Sequence, residues 1–253
     1  MGGFLDRYIR RKAIAQWRLA EQQADQMALP KLRRQRDEAR HLRGQLERVI
    51  QTADSRLIQP RLGSNQFPRP LGTDWSWRPD LWRTPALRKG LASAPRKAGM
   101  DGQVTLFHDC PLAEIGMQQT RNRQEKDLAP FSLAIEVFDF QGTFLSLSIE
   151  LPMDAANDLT RQHLMRVDTV IESERPTTVF SRLNIQHGPN TEQVLRELNL
   201  SMSESTVDFD LAHLELHERR IEKLWLDLII DNPAMNRIAL RDLTFCRHHR
   251  ADL

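Results

Sequence analysis

Cysteine is scarce in this chain: Cys110 and Cys246 are the only two in 253 residues. That number excludes a disulfide framework and predicts two reduced thiols. No run of about eighteen apolar residues occurs, which excludes a helical membrane span. The stretch from Met1 to Arg7 carries neither an apolar core nor a small-residue cleavage site, so no secretory signal is expected. Glycine-rich phosphate loops, a Gly-x-Ser-x-Gly elbow and a His-Glu-x-x-His pair are all missing. These absences predict a protein that is not an enzyme and that needs no cofactor.

What is present is enough for a core. Hydrophobic residues make up 40% and charged residues 28%, a balance that excludes wholesale disorder. The formal net charge of +2 conceals a division along the chain. Residues 1–100 hold 21 Lys and Arg against 9 Asp and Glu, whereas residues 101–253 hold 15 against 25. Such a bipolar chain predicts different neighbours for its two ends. Clustered cations could face phosphate, but composition alone does not select nucleic acid. A solvated helix face, or an arm lying on an acidic neighbour, is the preferred expectation.

Three segments follow from periodicity. Residues 1–57 read as a basic helical arm. Ala13, Trp17, Ala20, Ala24 and Met27 step by four and three, and so do Ala39, Leu42, Leu46, Val49 and Ala53 beyond Pro30. Both stripes are narrow, so each helix needs a partner surface, in a hairpin or in a short coiled coil with another chain. Trp17, Leu42, Leu46 and Val49 are the candidate partner-binding residues. Residues 58–102 hold Pro60, Pro68, Pro70, Pro79, Pro85 and Pro95, which forbid long regular structure. Trp75, Trp77 and Trp82 in the same segment predict an extended strap pinned to a folded surface, with a ligand-stacking platform as the sharper alternative. Residues 103–253 switch to period two, as in Leu145, Leu147, Ile149 and Leu151 or Leu224, Leu226, Leu228 and Ile230. Near Arg241 and Asp242 the phase slips by one, as a β-bulge requires.

Eight such runs, with helical turns expected at 154–162 and 191–197, predict an α+β chain: helical arm, extended strap and C-terminal antiparallel β-sandwich of the jelly-roll kind. Within the sandwich, His108 and Cys110 would share a strand face, the beginning of an activated thiol. Pro111 follows at once and no third group orients them, so a buried thiol is the expected outcome. Cys246-x-His248 supplies too few ligands for a metal, and no metal site is expected. The loop 184–192 offers Asn184, His187 and Asn190, whose donors and acceptors suit sugar hydroxyls. With Trp75 and Trp77 these are the candidate ligand-binding residues.

Two resemblances add to this reading. Residues 131–253, through the closing strands 223–230 and 235–245, resemble the galactose-binding-type jelly roll of many carbohydrate-binding modules. The stretches 58–65, 74–79, 107–112 and 184–193 resemble an uncharacterised bacterial family similar to the head-spike base protein of phage-like gene transfer agents. That second resemblance implies a structural adaptor joining a capsid vertex to a fibre. It also implies capsid and fibre partners and a cytoplasmic protein that is later carried on a virion-like particle. A homo-oligomer is expected as well, and the alternative function is a carbohydrate-binding sandwich that recognises cell-surface glycans. It carries over no functional residue.

Overall fold

The computed structural model describes residues 3–62, 66–201 and 203–250, with side-chain surroundings not assigned for 3–7, 9–10, 51 and 54–62. Gly63, Ser64 and Asn65, part of the stretch behind the second resemblance, lie outside the described residues. Contacts divide the chain into two compact units, Met1–Ile50 and Gln51–Leu253.

Helix α1 (Gly3–Gln23) and helix α2 (Leu29–Leu62) are joined through a 3-10 turn at Ala24–Gln26. Pro30 sits in the first turn of α2, where its missing N–H costs nothing. The helix continues through Pro60 to Leu62, beyond the end expected at 57. Trp17, Ala20, Ala24 and Met27 form one half-buried stripe, and Leu32, Gln35, Ala39 and Leu42 another. Leu46, Val49 and Ile50 are 53%, 65% and 54% exposed on α2. No described helix is long and apolar enough to cross a membrane.

The second unit is a β-sandwich of two antiparallel sheets. Its strands are β1 (Thr73–Trp77), β2 (Gly90–Leu91), β3 (Lys97–Gly99), β4 (Val104–His108), β5 (Ile115–Arg121), β6 (Phe131–Val137) and β7 (Leu145–Glu150). They are followed by β8 (His163–Ser173), β9 (Thr178–His187), β10 (Asn190–Glu197), β11 (Glu204–Asp210), β12 (Ile221–Asp231) and β13 (Asn236–His249). One sheet runs β11-β8-β13-β6-β5-β2, with β1 added to β13; the other runs β10-β9-β12-β7-β4-β3. Alternation drives the layering. Along β8 every second residue from His163 to Ile171 is buried, and the facing sheet answers with Leu183, Ile185, Leu226 and Leu228.

Two expectations are corrected here. Residues 191–197 form strand β10, paired residue for residue with β9, because the Gly188-Pro189 turn reverses the chain at once and leaves no room for a helical turn. Gly188 adopts φ 58° there, the left-handed region that favours glycine. The strap is also less irregular than its prolines suggest. It supplies β1, β2 and β3, plus a helical turn α3 (Asp80–Arg83), to the sandwich. The phase slip expected near Arg241 is present as a register shift between Leu240 and Asp242 against β8.

Candidate functional site

The strap's prolines and the bulge in β13 together shape a groove. The outward side chains of β8, β11 and β13 form its floor, while residues 67–70 and the loop 126–129 form its walls. Its volume is about 400 Å³, which falls in the range of small-ligand sites. Arg166 and Asp168 face outward because Met165, Val167 and Thr169 take the inward positions.

Four of its charged groups, Asp127, Arg166, Arg241 and Asp242, are held in fixed pairs. Arg78 donates to both oxygens of Asp242 at 2.9 and 2.8 Å. Arg166 forks onto Asp208 at 2.8 and 2.7 Å. Arg241 reaches both Asp127 oxygens at 2.6 Å and Glu172 at 2.9 and 3.1 Å. Bidentate geometry of this kind holds direction as well as distance. The Arg166 hydrogen bond keeps the Asp208 carboxyl below its usual range. Asp168 differs: burial pushes its carboxyl up, although Thr206 Oγ1 donates to it at 2.6 Å. Burial pushes Asp242 up as well, against the pull of Arg78. Phe67 lies at the rim, its ring centroid 5.0 Å from the Arg78 guanidinium and 5.2 Å from that of Arg69. Burial drives the nearby Cys246 thiol up to about 11, which leaves it a protonated, inert group at neutral pH.

The residues singled out from sequence lie elsewhere. Trp77 packs 5.4 Å from Phe245, and Trp75 stands 6.5 Å from Trp77, both against the hydrophobic core. Trp82 is fully buried, and its indole N–H donates to Leu240 O at 2.8 Å. Asn184 is fully buried, and its amide donates to Asp227 Oδ2 at 2.9 Å and to two backbone carbonyls. His187 is buried beneath the β9–β10 turn, its Nδ1 accepting from the His217 N–H at 3.3 Å, while Asn190 is exposed at the turn itself. His187 and Asn190 do share the lining of a more open depression with Glu215 and His217. Cys110 is buried with its thiol toward Asp139 O at 3.8 Å, and His108 Nε2 is engaged by Ala94 O at 3.0 Å, so the two form no thiolate–imidazole pair. Among the described residues one donor group has metal-ligand geometry: Asp74, His163 and His249. This group corrects the expectation of no metal-type cluster, and the Cys246-x-His248 spacing beside His249 is not its basis. Alternation sends those two to the opposite strand face from His249.

Sequence reasoning missed the groove residues. The only signal was the pair Arg166 and Asp168 on a wet strand face, and nothing local links them to Phe67 or Arg78.

The family model described as "Family of unknown function (DUF6478)" matches residues 1–253. The chain belongs to this family. No curated protein matches it. Solved structures similar to this DUF6478 member include the family 11 carbohydrate-binding module of cellulosomal cellulase Lic26A-Cel5E of Clostridium thermocellum. That match has 8% identity and a TM-score of 0.39 and covers 60% of this chain and 90% of that one. The CBM22-1 xylan-binding domain from Paenibacillus barcinonensis Xyn10C is another, at 8% identity and TM-score 0.35, over 64% of this chain and 94% of that one. A third is the enzymatically active domain of tailspike protein 4 of bacteriophage CBA120, at 5% identity and TM-score 0.41. That match covers 57% of this chain, and the chain spans only 19% of the tailspike domain.

Proposed function

We propose that the sandwich is a non-catalytic carbohydrate-binding module whose site is the groove over β8, β11 and β13. The observation that carries this reading is a groove of about 400 Å³ lined by side chains already held in bidentate Asp–Arg pairs. Such walls cost little to organise when a ligand arrives. They also favour a neutral, hydroxyl-rich ligand, because Asp127, Arg166, Arg241 and Asp242 are internally matched and the other lining charges, Arg69, Lys126, Asp168 and Glu204, balance in sign. Asp168 is the acceptor and exposed Arg69 the donor that would meet its hydroxyls.

An oligosaccharide array followed by calorimetry tests it. A neutral oligosaccharide should bind, and Asp168→Asn and Arg69→Ala should each weaken binding by about tenfold, the effect of one lost hydrogen bond to a charged group. A blank array, or full affinity in both variants, overturns the assignment.

A second reading concerns the arm. The exposed apolar positions Leu46, Val49 and Ile50 favour attachment of the module to a partner, as a head-spike base on a phage-like particle would need. Co-purification with capsid or fibre proteins tests it, and a chain that stays alone beside both counts against it.

A further inference from the structure

Three adjacent strands bring one metal-type donor each to a single point. β8 begins at His163 and β13 ends at His249, and the register pairs these two residues directly. Opposed residues on antiparallel strands share a face, and the two rings lie with centroids 4.3 Å apart. On the other side of β13, β1 steps from Thr73 to Trp75 while its partner moves only from His248 to Arg247. Asp74 is the extra residue of that bulge. A bulge re-aims a side chain, and here the Asp74 Oδ2 atom stands 3.4 Å from His163 Nε2.

We propose that Asp74, His163 and His249 bind a divalent transition-metal ion of the zinc type. The three ligand atoms all lie within 4.8 Å of one another. A tetrahedral zinc with ligands at about 2.0–2.1 Å holds its donor atoms roughly 3.3 Å apart. The Asp74–His163 pair already has that spacing, and His249, exposed on its strand end, closes the remainder by side-chain rotation. His163 Nε2 is buried without a hydrogen bond, a costly state for an imidazole nitrogen that an ion relieves. Solvent reaches the site through exposed His249 and Asp74, which gives an entry path and open coordination positions.

Two features oppose the ion and set its affinity. Arg247 donates to the Asp74 oxygens at 3.0 and 3.1 Å. Its fork occupies one lone pair on each oxygen and fixes the carboxylate, as an outer-shell partner does, but its charge repels a dication. His163 Nδ1 accepts from the Thr160 N–H at 3.1 Å, so the ligating tautomer must instead place its proton on Nδ1, facing Thr160 Oγ1 at 3.0 Å. These costs predict micromolar rather than nanomolar binding.

Calorimetric titration of the full chain with Zn²⁺, paralleled by Co²⁺ absorption, tests the site. One ion per chain should bind, and Co²⁺ should give the intense ligand-field bands of four-coordination. His249→Ala deletes a direct ligand and should lower the affinity by at least about 100-fold, the upper end of what disturbing an outer-shell partner costs. His213→Ala, which removes an exposed imidazole elsewhere, should leave it unchanged. Melting in EDTA checks that the His249 variant is folded. No binding at millimolar Zn²⁺, or undiminished binding by the His249 variant, overturns the proposal.

Discussion

Asp168 shows how one residue separates stability from binding. Burial raises its carboxyl pKa, so the folded chain holds that proton more tightly than the unfolded chain does. Its contribution to stability is therefore complete below the ordinary Asp pKa and is lost as pH rises through the raised value. Asp168→Asn should leave the melting temperature at pH 7 unchanged or higher while reducing groove binding, and a calorimetric scan at pH 7 beside a ligand titration checks both. Gly142 poses the opposite problem. A β-carbon there would collide with Asp109 Oδ1 and sit 2.8 Å from the Cys110 nitrogen. Gly142→Ala should cost about 1–3 kcal/mol, the usual range for overpacking, read by denaturant unfolding. At Cys110 and Cys246, both buried, a thiol reagent at neutral pH should find neither group before denaturation and both after it.

Between elements, Arg78 joins the strap to β13. Its side chain is 1% exposed against 13% for Asp242. Arg78→Ala strands a buried carboxylate, and breaking a buried pair in this way costs about 3–5 kcal/mol. Adding Asp242→Asn to that variant should restore part of the loss, because it removes the uncompensated charge. Chemical denaturation of both variants measures this. The strands themselves were legible because period-two alternation is local: Leu145 to Leu151 and Leu224 to Ile230 each announce one wet and one dry face. The bulge in β13 was legible for the same reason. Strand β10 was not, since 190–197 reads as polar on both faces and forms only because β9 offers it an edge. Strands β1 to β3 were hidden behind prolines, which sheets tolerate at edges and strand ends.

For the whole molecule, the charge division at residue 100 and the two compact units do not coincide. Contacts place the boundary at Ile50 and Gln51, so the basic strap belongs with the acidic sandwich. Its cations are used there: Arg78 binds Asp242, and Lys97 lies over the Phe107 ring. A chain of residues 51–253 should therefore melt at the temperature of the full chain's main transition. If the exposed stripe on α2 mediates association, light scattering should show oligomers for the full chain and monomers for a Leu46→Lys, Val49→Lys variant.

Composition and periodicity by themselves determined a helical arm, a proline-rich connection and an antiparallel sandwich, because each depends on residues within one turn or one strand of each other. The candidate sites were decided only by tertiary structure. The Arg78–Asp242 pair spans 164 residues of sequence, and Asp74 meets His163 through a bulge and two strand pairings. No local pattern encodes such meetings, for they follow from sheet order and register. The aromatic and amide residues that stood out in sequence, Trp75, Trp77 and Asn184, were drawn toward the core because burying their surface and satisfying their polar atoms stabilises the sandwich.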